Sequence, residues 1–160
     1  MAEGRVRRAR VTDIPALIAL EECFPSDRLT RANLRYLLTQ GNARLWVWEQ
    51  DGTIAGSAVL LFRAGSRRAR LYSLVTHPAR RGRGIGGRLL AAAEQCARQR
   101  GCQCLTLEVR PGNTGARRLY QRRGYRDTAR VPGFYQDGSD ARRMEKPLPP
   151  ARLQPLARAA

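Results

Sequence analysis

Between a β-favouring stretch that ends at His77-Pro78 and the clearest amphipathic helix pattern in the chain lies Arg81-Gly82-Arg83-Gly84-Ile85-Gly86-Gly87. Glycines let a backbone approach a ligand and leave several N–H groups pointing the same way. A helix starting behind them adds partial positive charge at its N-terminus. Arg80, Arg81, Arg83 and Arg88 add whole charges. Such a segment is a phosphate cradle, and a pyrophosphate suits it. Taken alone it stays ambiguous, because Gly82, Gly84 and Gly87 also satisfy the dinucleotide pattern G-x-G-x-x-G, and a flexible Gly-Arg turn fits too. Two features oppose the dinucleotide reading. The loop sits mid-chain after an antiparallel meander rather than in a first β-α-β turn, and it begins some residues after the strand has ended. No Gly-Lys-Ser/Thr follows, so a P-loop fails.

Around this loop the pattern alternates between strand and helix. Val6–Val11 reads as an opening strand, and Thr12-Asp13 as the start of a helix that runs to about Cys23. Pro25 breaks it, and Thr30 can cap a second helix carrying Leu34, Leu37 and Leu38. Leu45–Trp48, Thr53–Phe62 and Ala69–Thr76 read as three strands of a meander, with Asp51-Gly52 as a two-residue hairpin turn. After the loop, Leu89, Leu90, Ala93, Cys96 and Ala97 mark an apolar helix face that Gly101 ends. In Cys104–Val109 the residues Leu105, Leu107 and Val109 alternate with Cys104, Thr106 and Glu108. A short helix spans about Thr114 to Arg123, and Tyr125–Val131 with Arg142–Leu148 forms a last hairpin. The order is β-α-α-β-β-β-α-β-α-β-β. The expectation is one domain over residues 1–148 and a mobile tail over 149–160.

Composition narrows the partners. A length of 160 residues, 42% of them hydrophobic, supports one domain with a real core. No uncharged apolar run is long enough to span a membrane, and MAEGRVRRARV lacks the apolar stretch of a secretory leader. The formal charge of +17 predicts attraction to polyanions. However, Lys146 is the only lysine, and the arginines are spread along the chain rather than gathered in a block. That bias is compatible with a GC-rich genome, so nucleic acid is not the expected partner. Cys23, Cys96, Cys102 and Cys104 match no zinc spacing, and buried free thiols in a reducing cytoplasm are expected.

The stretch Leu71–Pro78 followed by Arg81-x-x-Gly84-x-Gly86 resembles motif A of the GNAT acetyltransferase superfamily. Leu107-Glu-Val-Arg110, Asn113, Leu119-Tyr120 and Gly124-Tyr125 resemble the family's second signature, in matching order and separation. The likeness covers roughly residues 5 to 148. It implies a GNAT fold of the α/β (α+β) class: a twisted, mixed, mostly antiparallel sheet of six or seven strands with about four helices. Within the superfamily the phrase from Leu107 to Tyr120, and the ending from Tyr135 to Met144, resemble bacterial N-terminal acetyltransferases of a ribosomal-protein alanine. The Phe24-Pro25-Ser26-Asp27-Arg28 loop and the Phe134-Tyr135 pair depart from that subgroup.

The resemblance implies acetyl-CoA as co-substrate, no metal, and direct transfer to an amine. The amides of Arg81, Gly82, Arg83, Gly84, Ile85, Gly86 and Gly87 would bind the CoA pyrophosphate. The backbone of Leu74, Val75 and Thr76 would run beside the pantetheine arm, and Asn113 would touch the cofactor. Phe24, Arg28 and Tyr135 would border the acceptor. Glu108, on the polar side of its strand, suits a general base that removes the ammonium proton, although its pattern also fits a solvent-facing glutamate. Tyr120 would protonate the CoA sulfur; a packed core tyrosine is its alternative. Cys104 shares the face of Glu108, yet no histidine is evident to activate it for a covalent route. The expected acceptor is a protein or peptide N-terminus, a ribosomal protein among the candidates, with a small-molecule amine or a non-catalytic acyl-CoA or RNA binder as alternatives. A monomer or homodimer is expected.

Overall fold

The computed structural model describes residues 3–150 and shows one seven-stranded sheet with helices on both faces. The strands are β1 (Arg5–Arg8), β2 (Ala43–Gln50), β3 (Thr53–Phe62), β4 (Arg68–Thr76), β5 (Cys104–Val109), β6 (Arg126–Val131) and β7 (Ala141–Pro147). The helices are α1 (Ile14–Glu21), α2 (Arg31–Thr39), α3 (Ile85–Gln99) and α4 (Thr114–Arg122). The strand order is β1-β2-β3-β4-β5-β7-β6, and the pairing of β4 with β5 is parallel while the others are antiparallel. This is a mixed, mostly antiparallel sheet of the kind that the GNAT resemblance implies.

Strand β2 shows no polar–apolar alternation because both of its faces are covered. Leu45 and Val47 join Ile14, Leu17, Leu34 and Leu37 beneath α1 and α2. Trp46 and Trp48 point the other way, into the core that Leu89, Leu90 and Ala93 of α3 complete. At the β2–β3 turn Asp51 and Gly52 have φ of 51° and 75°, the pair of positive angles that a two-residue hairpin requires. Helix α3 lies so close to β3 that a Cβ on Gly56 would sit 2.9 Å from both Ile85 Cγ2 and Leu89 Cδ1. Packing of this closeness fixes where the N-terminus of α3 is presented.

Several boundaries differ from the sequence expectation. Strand β1 stops at Arg8, and Val11–Asp13 forms a 3₁₀ turn. Neither Thr12 nor Asp13 caps α1 with its side chain. The Asp13 carboxylate accepts instead from both terminal nitrogens of Arg7, at 2.9 Å each, and from the Arg10 N–H at 2.7 Å. A bidentate charge-assisted pair outbids a neutral cap, and the Arg7 guanidinium holds the Asp13 carboxyl below its usual range. Helix α1 ends at Glu21, short of Cys23. Thr30 does cap α2: its hydroxyl accepts from the Asn33 N–H at 3.1 Å, and the Asn33 side chain accepts from the Thr30 N–H at 3.1 Å. All four cysteines are free, as expected, but only Cys102 is buried; Cys96 and Cys104 are half-buried, and Cys23, just past the end of α1, is exposed. Of the tail expected to be mobile, Pro149 and Pro150 accept hydrogen bonds from Arg98 at 3.2 and 3.5 Å, and the remainder lies outside the described residues.

The middle of α3 is tied down by one buried carboxylate. Glu94 accepts from Arg123 at 2.6 Å, from Lys146 at 2.9 Å and from the Tyr125 hydroxyl at 2.9 Å. Burial pushes the Glu94 carboxyl up, but the Arg123, Lys146 and Tyr125 donors together outweigh it and hold the group below its usual range. A carboxyl lowered in the fold stabilises at neutral pH and loses that contribution as acid approaches its folded value. Glu94→Gln is therefore expected to cost about 2–3 kcal/mol at neutral pH. The gap to the wild type should narrow below about pH 4. Urea unfolding at the two pH values checks both statements.

Candidate active site

Strands β4 and β5 pair only over Arg68–Leu71 and Cys104–Leu107. Beyond that point they part. The register between β3 and β4 slips there, because Ser73 faces Val59 while Leu71 faces Leu60, leaving Tyr72 as an extra residue. A bulge of this kind increases the local twist of its strand, and it stands where β4 leaves β5. A cavity of about 600 Å³ fills the fork. Leu74 and Val75 of β4 form one wall, and Glu108 and Arg110 form the other. Tyr120 and Asn113 come from α4 and its approach, while Phe24, Arg28 and Tyr135 come from two loops.

Glu108 is the first residue of β5 beyond the last parallel pair, Leu71 with Leu107. Its side chain is only 6% exposed, so it is not the solvent-facing strand glutamate that its pattern also allowed. One oxygen accepts from Arg70 Nε at 3.2 Å, the other from Arg143 at 3.3 Å. Arg143 stands directly opposite on β7. Tyr120 is buried, and its ring meets Tyr125 edge-on at 5.7 Å. Burial, with a smaller contribution from Tyr135, drives the Tyr120 hydroxyl well above its ordinary value. It is thus a phenol that keeps its proton. Burial likewise pushes the Cys104 thiol up, against thiolate chemistry, and His77 is used locally, its Nδ1 accepting from the Ala79 N–H at 3.0 Å.

The glycine-arginine loop follows a 3₁₀ turn at Pro78–Arg80. Gly82 and Gly84 have φ of 79° and 78°, left-handed angles that suit glycine. Gly84 opens α3 with no side-chain cap, and the Arg88 N–H closes back on the Gly84 carbonyl at 3.1 Å. The N–H groups of Ile85, Gly86 and Gly87 therefore lack intrahelical acceptors. The Ile85 side chain itself is core. Gly86 packs against α4, where an added Cβ would meet Leu119 Cδ2 at 3.2 Å and Thr76 Oγ1 at 3.7 Å. Residues Thr76 and Gly82–Gly87 lie outside the wall of the fork cavity. Arg81 and Asn113 line a second opening of about 540 Å³, together with Arg110, Ser139 and Asp140. Arg81 also stands over the Phe24 ring, 5.9 Å from its centroid. The Asn113 side-chain oxygen caps α4 by accepting from the Ala116 N–H at 3.2 Å, which leaves its amino group for anything bound nearby.

Comparison with known proteins agrees with this geometry. Residues 14–125 match the family model described as the acetyltransferase (GNAT) family. The chain belongs to the GNAT family. An uncharacterised N-acetyltransferase of Methanocaldococcus jannaschii is 34% identical over 149 residues, 92% of this chain and 94% of that protein. Streptothricin acetyltransferase of Streptomyces lavendulae is 35% identical over 103 residues, 62% of this chain and 54% of that protein. An N-alpha-acetyltransferase of Sulfurisphaera tokodaii is 26% identical over 157 residues, 91% and 94% of the two chains. Among solved structures, Ard1 from Thermoplasma volcanium superposes with a TM-score of 0.84 at 25% identity, covering 92% of this chain and 99% of that one. The Escherichia coli ribosomal-protein-S18-alanine N-acetyltransferase shares the fold with a TM-score of 0.81 at 23% identity, covering 96% and 99%. The protein is an N-acetyltransferase and so an acyl-transferring enzyme.

This GNAT site contains residues that the sequence did not single out. Arg70 holds Glu108 and stacks between Tyr72 and Phe134, 5.5 and 5.8 Å from their centroids. Arg110 ties the loop between α1 and α2 to the loop between β6 and β7. Glu21, at the end of α1, is buried in the cavity wall and accepts from the Leu29 N–H at 3.1 Å; burial pushes its carboxyl up. Arg70 and Glu21 lie in no recognisable motif, and Arg110, though it ends the Leu107–Arg110 signature, gives no sequence sign of its loop partners. Among the described residues no helix is long and apolar enough to cross a membrane, and no cluster of metal-ligating side chains occurs. The buried phenol gives a direct check of the geometry. In a spectrophotometric alkaline titration, Tyr120→Phe should remove no absorbance change near pH 10, the ordinary tyrosine value, because Tyr120 ionises well above it.

Proposed function

We propose that the enzyme moves an acetyl group from acetyl-CoA directly to the α-amine of a protein or peptide N-terminus. The observation that carries the reading is that Glu108 and Tyr120 face one cavity at the fork of β4 and β5. The residues present fit the cofactor. Gly82 and Gly84 have open space where a Cβ would stand, and three helix-start N–H groups lie behind them. The Arg81–Gly87 amides would hold the pyrophosphate, and the unpaired edge of β4 at Leu74, Val75 and Thr76 would take the pantetheine amides. The amino group of Asn113 would complete the grip. When bound, acetyl-CoA supplies the acetyl thioester.

The chain's own groups divide the proton work. Glu108, oriented by Arg70 and Arg143, accepts the acceptor's ammonium proton directly or through one water. Tyr120 keeps a proton at Oη for the departing sulfur. A backbone N–H near Val75 steadies the oxyanion. The α-amine reading is supported by the Leu107–Tyr120 phrase and by the full-length similarity to an N-alpha-acetyltransferase. A small-amine acceptor is the second reading, favoured by the local similarity to streptothricin acetyltransferase and by the unusual Phe24–Arg28 loop.

CoA release from acetyl-CoA against a panel of peptides and small amines separates the two. Turnover of peptides supports the first, and turnover confined to small amines overturns it. Glu108→Gln should lower kcat by about 10²–10³-fold, and Tyr120→Phe by at least about tenfold. An unchanged kcat for Glu108→Gln across the neutral pH range would remove Glu108 as the base.

A further inference from the structure

Arg110 follows β5, two positions after Glu108, and its side chain reaches two distant loops. One terminal nitrogen donates to Asp27 Oδ2 at 2.8 Å and lies 3.4 Å from Ser26 Oγ, both in the loop between α1 and α2. The other donates to Ser139 Oγ at 2.6 Å and to Asp137 Oδ2 at 3.1 Å, both in the loop between β6 and β7. The guanidinium also covers the Tyr135 ring, 4.0 Å from its centroid. The loops meet directly as well, with the Gln136 N–H donating to Asp27 Oδ1 at 3.3 Å.

Asp27 has φ of 56°, an angle few non-glycine residues adopt, with Asp and Asn the commonest exceptions. Both of its oxygens are engaged across the gap, which holds that loop in an otherwise costly shape. Arg110 in turn lines both the fork cavity and the second opening beside Arg81 and Asn113. It therefore stands as a post between them. Only a flat, delocalised cation presents donors to two carboxylates while stacking on a ring; a lysine offers a single point charge.

We propose that Arg110 is a positioning residue for the acceptor: it pins the loops at 26–27 and 137–139 into one rim and fixes Tyr135 at the mouth beside Glu108. The inference rests on the acetyl-transfer reading above. Gly82–Gly87 line neither opening, and Asn113 is held by the backbone carbonyl of Arg110 rather than by its side chain, so a change of the Arg110 side chain should fall on the acceptor more than on the cofactor.

The test is steady-state kinetics of CoA release with acetyl-CoA and the best peptide from the panel. Arg110→Lys should raise the peptide KM by about 5–20-fold, while the acetyl-CoA KM stays within about twofold. Asp27→Asn, which tolerates the same backbone angle and leaves β5 intact, should raise the peptide KM in the same selective way. In the double variant the effects should not multiply, because both changes cut one link. Equal rises in both KM values, no rise at all, or multiplying effects overturn the inference while acetyl transfer stands. A wild-type enzyme that turns over no amine defeats the acetyl-transfer reading and this inference with it.

Discussion

Strands β4 and β5 hydrogen-bond over four residue pairs and then separate, and most of the site is arranged around that separation. Leaving a peptide group unpaired in a dry interior costs about 1–3 kcal/mol, so two central strands do not part without a reason. Here the freed groups of β4 border a cavity, where water or a ligand can satisfy them. The bulge at Tyr72 turns β4 away, and the tight approach of α3 over Gly56 sets the helix start on the same side of the sheet. Glu108 stands at the apex because it is the first residue past the last pair.

Arginine does several different kinds of work in this chain. Arg7 replaces a helix cap, Arg70 and Arg143 bracket Glu108, Arg123 joins Lys146 on Glu94, and Arg110 joins two loops. Others lie on the two outermost strands, at Arg5 and Arg8 of β1 and at Arg126 and Arg130 of β6. Charge on an edge strand discourages pairing with another sheet. The excess positive charge is thus partly structural, since five carboxylates, those of Asp13, Glu49, Glu94, Glu108 and Asp127, each meet two basic partners or two donors from one.

The parts of this architecture that rest on local pattern were legible in the sequence. The Asp51-Gly52 turn, the Thr30 cap, the alternation in β5 and the glycine loop all carry short-range signals, and each element stands where those signals put it. The placement of Glu108 on β5 and of Tyr120 on α4 was legible through the spacing of the second signature. What stayed hidden depends on partners far apart in sequence. Asp13 looked like a cap because its competitor, Arg7, sits on a strand whose register is set by β2. Arg110 finds Asp27 across 83 positions, and Glu21 is buried only because the loop through Leu29 folds over it. No periodicity encodes such meetings.

Strand β7 comes after β6 in the chain but lies between β6 and β5. It supplies Arg143 to Glu108, Met144 to the core and Lys146 to Glu94. During synthesis, then, the Arg81–Gly87 loop, α3, Glu108 and Tyr120 all precede the strand that fills the slot beside β5. Until the last described strand is inserted, β5 has an open edge and the carboxylate at its end has one of its two cations missing. The fork and the cations that flank its carboxylate are therefore completed by a strand that follows all of those residues in the chain.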